Sequence, residues 1–451
     1  RLFGPSHTTI KAASALVGLA SIPLLYLLGR ELYGRGVGLA AAGLLSISHW
    51  HIICSRSGLR AGTLLPLMML AWLWLVRGLR RGRRWEFYLA GLALGLGMYT
   101  YNAFAAVPLA GAAMLAGEAL AGRGRRLWAQ RANLALAGIV ALVVFVPLGR
   151  YAYDEPGMYV YRAATRVSGL EQPLPGDLLT VGLGNAWRAL LMFNYRGDAV
   201  YATNVPFMRA LGFLTGVTFL LGGAQLARRP KVGYNLAVLG ALGIMLLPTA
   251  LSLAFPQEVP NAFRAIGALP PAMLMAGVGL VGLWRAVAGA WPARAEGSGP
   301  ATRVLAALLA LALAGGVGRE VWAAGVTYFQ DFRLSQPRQN YSLSLEMARV
   351  IDAYSGEAFA ISRPHFYDGN AVRMLLTRRD PAAWHDLVAP AADAPPLDGS
   401  LDRVLVIVHP EDTATQEALR RAYPRGVFVE HRDDEDIAAF WAFYGEAQRA
   451  R

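Results

Sequence analysis

The sequence predicts a polytopic α-helical membrane protein, a bundle of about ten spans, with a small α/β domain at its carboxy end. Three observations lead there. Of 451 residues, 55% are apolar and only 16% charged, against about 25% charged in a soluble globular chain, and the mean hydropathy is +0.36. The apolar residues fall into long runs. The charge divides the chain: residues 1–329 hold 29 Lys+Arg and 11 Asp+Glu, whereas residues 330–451 hold 14 and 19. The predicted domains are therefore 1–329, in the membrane, and 330–451, polar and mildly acidic.

The same numbers exclude other classes. The chain is too apolar to be disordered and shows no short tandem repeat. The net charge is +13, but its basic residues sit between apolar runs, not on one polar face, so no nucleic-acid partner is implied. The single cysteine, Cys54, rules out an internal disulfide and any multi-cysteine metal site. The first residue is Arg and no signal peptide opens the chain, which leads us to expect residues before Arg1.

A bilayer core needs about 20 apolar helical residues. The runs read as spans are 9–28, 34–50, 61–77, 86–101, 103–121, 132–149, 208–227, 232–253, 265–284 and 302–318. The connections test this count. One alternating set carries Arg30 and Arg35, then Arg77, Arg80, Arg81, Arg83 and Arg84, then Arg123, Arg125, Arg126 and Arg131. It continues with Arg228, Arg229 and Lys231, and ends with Arg285, Arg294 and Arg303. The positive-inside rule puts that set in the cytoplasm. Residue 1 is then outside, and an even number of crossings returns the chain outside. The expected location is the bacterial inner membrane, with the polar domain extracytoplasmic. In that domain 343–354 and 412–422 read as helices, and 357–361, 403–408 and 427–430 as strands. The stretch 390–400 reads as a loop from its Pro, Asp and Gly content. Its scattered histidines, His365, His385, His409 and His431, suit packing or surface roles, and no nucleotide loop or metal cluster is present.

Ionisable groups near membrane depth are costly and tend to mark function. Three outer connections carry them. The first is Ser48-His49-Trp50-His51 followed by Ser55-Arg56-Ser57-Gly58-Leu59-Arg60. If the turn is helical, Arg56 and Arg60 share a face and suit a phosphate, which guanidinium groups grip in a forked geometry. The bland alternative is snorkelling to lipid head groups. The second is the connection 150–207, with Asp154, Glu155, Arg162, Arg166, Arg188, Arg196 and Asp198 among many aromatics. Rings stack on sugar faces and carboxylates bind hydroxyls; an aromatic belt at the interface is the alternative. The third is Asn261-Ala262-Phe263-Arg264 with Glu258 before it, and Tyr99, Tyr101 and Asn102 lie at the same depth. Together they describe an outward-facing cavity suited to an anionic, lipid-linked substrate.

From Arg1-Leu2-Phe3-Gly4 through ALVGLASIPLLYLLGRELYGRGVGLAAAGLLSISHWHIICSRSGLRAGTLLPL, the sequence resembles the bacterial GT-C glycosyltransferases of the dolichyl-phosphate-mannose–protein mannosyltransferase and aminoarabinose transferase superfamily. GLGMYTYNAFAAVPL (95–109), MFNYRGDAVYATNVP (192–206) and RAIGALPPAMLMAGVGL (264–280) are further landmarks, and the resemblance covers about residues 1–330. It implies a glycosyltransferase that moves a sugar from a polyprenyl phosphate to an extracytoplasmic hydroxyl, normally with inversion. Arginines would stabilise the leaving phosphate, and a carboxylate would deprotonate the acceptor.

The expected donor-phosphate residues are Arg56, Arg60, Arg264 and Lys11. Those for sugar or acceptor are His49, His51, Tyr99, Tyr101, Asn102, Arg196, Asp198 and Asn261. In the family the key acid, often an Asp-Glu pair, lies in the first outer loop, which would precede Arg1. Asp198, Asp154 and Glu155 are therefore only local candidates for the base. Expected partners are the bilayer, the lipid-linked sugar, and an acceptor protein, glycolipid or polysaccharide. No cofactor is called for, and dependence on a divalent cation stays open. The competing expectations are a transporter or lipid flippase, for which no internal duplication is visible, and a non-catalytic membrane subunit.

Overall fold

The computed structural model describes residues 7–289, 300–335, 338–361, 366–377, 384–387, 397, 399–432 and 436–446. The chain divides into two compact units, one over Lys11–Ser335 and one holding the described residues of Arg1–Ile10 and Gln336–Arg451.

The first unit is helical. It comprises α1 (His7–Tyr33), α2 (Arg35–Ser46), α3 (His49–Arg56), α4 (Leu64–Arg81), α5 (Arg84–Gly97), α6 (Ala106–Glu118) and α7 (Gly124–Ala129). It continues through α8 (Arg131–Asp154), α9 (Pro156–Val167), α10 (Leu178–Leu191), α11 (Phe213–Arg228), α12 (Asn235–Ala250), α13 (Leu269–Gly289), α14 (Pro300–Val326) and α15 (Phe332–Ser335). Each apolar run forms a helix, but not each is a full span. Among the described residues, six helical segments are long and apolar enough to cross a bilayer: Thr9–Tyr33, Arg60–Arg81, Asn102–Ala129, Arg131–Asp154, Ile266–Ala286 and Ala307–Ser335. The pair α2 and α3, bent by 61°, makes a seventh if counted as one span. By length and composition, the described residues thus supply up to seven of the ten spans expected. Helices α5, α11 and α12 have 14, 16 and 16 residues, short of the roughly 20 that a hydrocarbon core demands.

Small residues let these helices meet closely, as membrane bundles require. At the α11–α13 crossing, a Cβ on Gly222 would lie 1.8 Å from the Met275 carbonyl oxygen, and one on Gly279 would lie 2.0 Å from that of Thr218. The connections sort to two ends. At one end the Glu31 carboxylate takes Arg77 (2.9 Å), Arg81 (3.2 Å) and Arg80 (3.4 Å), Arg81 also reaches the fully buried Glu86 (3.1 Å), and Arg80 and Arg123 flank the Tyr234 ring. These residues belong to the basic set assigned to the cytoplasm. At the other end lie the segments around residues 48–60, 192–212 and 249–264. The connection 150–207 is mostly helical: α8 runs on to Asp154, and α9 and α10 follow.

The second unit is an α/β layer. It comprises α16 (Arg338–Ala353), β1 (Glu357–Ile361), α17 (Gly369–Leu375), β2 (Trp384–Leu387), β3 (Arg403–Val408), α18 (Thr413–Ala422), β4 (Val427–Arg432) and β5 (Ala438–Glu446). The sheet order is β2-β1-β3-β5-β4; β1 pairs β2 and β3 in parallel, and β5 pairs β3 and β4 antiparallel. Met347, Ile351 and Val372 pack one face, and Leu419 and Tyr423 the other. β2, β5 and α17 were not expected from the sequence. The loop expected at 390–400 and His365 lie largely outside the described residues. His385, His409 and His431 each pack against a phenylalanine ring: Phe359, Phe366 and Phe440.

Candidate functional site

The end of the helical unit opposite the Glu31 cluster gathers chain from three places, and Ala262 is where they meet. Its carbonyl accepts from the Trp50 indole N–H (3.1 Å), and its N–H donates to Oδ2 of Asp198 (2.7 Å). Asp198 is fully buried. Its Oδ1 accepts from the Val200 N–H (2.8 Å), and Oδ2 also accepts from the Thr203 hydroxyl in a short contact. The loop closes on itself through Phe207 N–H to Asp198 O (2.7 Å) and Gly197 N–H to Phe207 O (3.2 Å). Phe207 takes φ 64°, a left-handed conformation rare for a bulky residue, which persists where the surroundings over-determine it. Gly197 is required where the loop ends meet: a Cβ there would lie 1.9 Å from the Met208 carbonyl oxygen.

Burial pushes the Asp198 carboxyl up from its ordinary value, against the Thr203 hydroxyl, the Ala262 and Val200 N–H groups and Arg264, which each pull it down. With both oxygens occupied by donors, Asp198 ties the 197–208 loop to the 259–264 segment.

Arg264 stands beside this tie. Its side chain is 18% exposed, it makes a short ion pair with Glu258 and a short hydrogen bond to the Ser252 hydroxyl, and its N–H donates to the Asn261 side chain (3.0 Å). The Asn261 N–H in turn donates to the Thr249 hydroxyl (2.9 Å). Helices α9 and α10 hold the same segment. The Arg166 guanidinium lies 4.0 Å over the Phe255 ring and pairs with Glu171 (3.5 Å) and Glu258 (3.9 Å). Arg188 donates to Pro256 O (2.8 Å), and the Asn185 amide to Ala250 O and Ser252 O, each at 3.1 Å. The result is a half-buried group of two guanidiniums and two carboxylates, with the Asp198 carboxylate within electrostatic reach.

The other expected residues distribute as follows. Helix α3 stops at Arg56, Gly58 turns with φ 75°, and Arg60 opens a 3-10 turn. The shared helix face for Arg56 and Arg60 is thus corrected: a positive-φ glycine breaks it. Both side chains are exposed, and Arg56 lies 5.1 Å over the Tyr328 ring, with Lys11 within its electrostatic reach. His49 and His51 are buried. His49 Nε2 is 3.0 Å from Arg209 O and lines a cavity of about 170 Å³ with Arg209, Thr215, Arg319 and Glu320. In that cavity the Glu320 carboxylate caps α11 through the Thr215 N–H and hydroxyl.

The Tyr99 hydroxyl donates to Val144 O (2.7 Å) and accepts from the Leu148 N–H (3.3 Å), beside Pro147 in α8. It repairs the ladder that the proline interrupts. Tyr101 packs against the helical core, while Asn102 is exposed. Arg196 stacks 4.3 Å over Phe207. Asp154 is exposed and pairs with Arg150 (3.5 Å), and Glu155 is exposed where α8 gives way to α9. Among the described residues no three His, Cys, Asp or Glu side chains gather in a way that could hold a metal ion. The sequence reading missed Thr249 and Ser252, two hydroxyls inside the apolar run 232–253 whose position against the Arg264 segment was the available signal.

A helix bundle with basic connections at one end and an arginine–carboxylate group at the other, followed in sequence by an α/β domain, shares its fold with solved membrane proteins. Comparisons of sequence and of fold find the following similarities. Residues 1–151 match the family model described as dolichyl-phosphate-mannose-protein mannosyltransferase. The structure of ArnT from Cupriavidus metallidurans bound to undecaprenyl phosphate is similar with a TM-score of 0.57 at 15% identity, over 97% of this chain and 84% of that one. The apo state of the same protein gives 0.54 at 14% identity, over 96% and 83%. The Archaeoglobus fulgidus oligosaccharyltransferase tethered to an acceptor peptide gives 0.49 at 14% identity, over 94% of this chain and 58% of that one. No curated protein sequence matches the chain.

Proposed function

We propose that the protein is a membrane glycosyltransferase that moves a sugar from a polyprenyl-phosphate donor to an acceptor hydroxyl on the outer side of a bacterial inner membrane, with inversion. The carrying observation is the GT-C fold shared over nearly the whole chain with a protein solved bound to undecaprenyl phosphate, and the family match over residues 1–151 agrees with it. The acceptor oxygen attacks the anomeric carbon and the bond from that carbon to the phosphate oxygen breaks. The phosphate leaves with the electron pair, and the acceptor's proton passes to a base.

The polyprenyl phosphate is already a good leaving group, so the protein's task is to stabilise its growing charge in a poorly solvated place. Arg264 suits that task, being half-buried on a segment pinned by Asp198, Asn185 and Arg188. Arg56, Arg60 and Lys11 add positive charge at the same end of the bundle. Asp198 acts here as a positioning residue, because its oxygens are taken. Asp154 and Glu155, exposed at the end of α8, are open to solvent acceptors but are not held in place by the Arg264 segment. His49, His51, Tyr99 and Tyr101 support the walls, while Asn261, Arg196 and Asn102 are the polar groups left to face a sugar.

The test is turnover of the reconstituted protein with polyprenyl-phosphate sugars. Arg264→Ala and Arg60→Ala should each remain folded and lose transfer by about 10²–10³, the usual cost of removing one group that stabilises developing charge. Full turnover in both variants overturns the assignment.

A further inference from the structure

We infer that Glu258 is a displaceable stand-in for the donor's phosphate, and that Arg166 is the second arginine to hold that phosphate once Glu258 has moved aside. The inference rests on the donor reading above and adds the second ligand and the competitor at the same site.

Three observations carry it. Glu258 is gripped unequally. Its Oε2 makes a short contact to Arg264, whereas its Oε1 stands 3.9 Å from Arg166 Nη1. Arg166 is underused. Its side chain is only 17% exposed, yet its buried Nη1 finds no hydrogen-bond acceptor. The Glu171 and Glu258 oxygens at 3.5 and 3.9 Å lie well beyond the ~2.7–2.9 Å of a charge-assisted hydrogen bond. A buried guanidinium held by stacking on Phe255, with its Nη1 short of an acceptor, suits an anion larger than one carboxylate. Finally, Glu258 can leave. It ends the short 3-10 turn Pro256–Glu258 and its side chain is 30% exposed, so rotation carries it into solvent without unfolding a helix.

The donor's phosphodiester has two non-bridging oxygens and the polyprenyl phosphate released by transfer has three, so either can bridge two guanidiniums that one carboxylate fails to span. As found, Arg166 and Arg264 are balanced by Glu171 and Glu258. Removing Glu258 leaves a net positive pair that an anionic head group restores and a neutral lipid alcohol does not. Glu258 thereby makes the site selective for charge: a phosphate displaces it and regains the lost interaction, whereas a neutral alcohol does not compete for the arginines. The apparent affinity is lowered by the fraction of time Glu258 occupies the site.

The experiment measures binding of undecaprenyl phosphate and of undecaprenol to the purified protein in detergent. Glu258→Gln should bind the phosphate about tenfold tighter, because the internal competitor is gone, with undecaprenol unchanged. Arg166→Gln should weaken the phosphate about tenfold and cancel the gain when combined with Glu258→Gln. Glu258→Asp keeps the charge and should show no gain, so a gain shared by both Glu258 variants overturns the inference. A wild type that prefers the phosphate, with Glu258→Gln equal or weaker, also overturns it and leaves the donor reading standing. A wild type that binds phosphate and alcohol alike overturns both.

Discussion

At the scale of single residues, Asp198 shows how much a group's surroundings add to its type. An acid among aromatics and arginines reads as a base or sugar ligand, but its carboxylate is spent on Val200, Thr203 and Ala262. Asp198→Asn keeps the shape and puts an amide N–H against at least one of those donors. It should cost about 1–3 kcal/mol, the penalty for leaving a buried polar group unsatisfied, read as a lower midpoint of thermal unfolding in detergent. The pH dependence follows from burial, which raises the Asp198 carboxyl in the folded protein. A group raised on folding contributes stability that is full below its unfolded pKa and is lost as pH rises through the folded value. The advantage of wild type over Asp198→Asn should therefore shrink as pH climbs from the ordinary carboxylate range through the raised one. A constant difference would show that the carboxyl is not raised.

At the scale of elements, the α11–α13 crossing holds the helical unit together by backbone proximity. Gly222→Ala would place a methyl 1.8 Å from the Met275 carbonyl oxygen, so the helices must part. The expected destabilisation is about 1–3 kcal/mol, as for overpacking elsewhere. Gly223→Ala is the internal control. There the nearest atom is the Met275 methyl at 2.8 Å, the far end of a flexible side chain, and the loss in thermal unfolding should be much smaller. The segment that carries Arg264 is held differently, by hydrogen bonds, an ion pair and ring stacking. Asn185 and Arg188 of α10 and Arg166 of α9 clamp the 250–258 chain through its carbonyls and acids, so two helices lying outside the six long apolar segments set the position of Arg264.

At the scale of the whole molecule, the distribution of arginine predicts orientation. Cys54 is the only cysteine and is buried, which makes the protein a ready background for introduced thiols. In intact cells Ala414→Cys, exposed on α18, should react with a membrane-impermeant maleimide. Ala129→Cys, at the end of α7 beside the basic cluster, should react only after permeabilisation. The reverse pattern would refute the orientation in which the basic connections face the cytoplasm.

The sequence by itself determined the helical runs, the alternation of basic and non-basic connections, the α/β character of the last third and the segments that supply the outer end. Hydropathy and charge act locally and are written in each stretch of chain. The strand at 403–408, RVLVIV, was legible for that reason as a β-branched apolar run, and 357–361, EAFAI, as a short apolar run just after the Ser355-Gly356 turn signal. β5 was not, although it pairs on both sides, because AAFWAFYGE carries no alternation that separates a strand from a short apolar helix. The tertiary structure alone decided which polar groups meet. That Asp198 reaches Ala262, that Tyr99 mends α8, and that Glu258 lies between Arg166 and Arg264 depend on contacts between residues up to about ninety positions apart, and such pairing is fixed by packing, which no local pattern encodes.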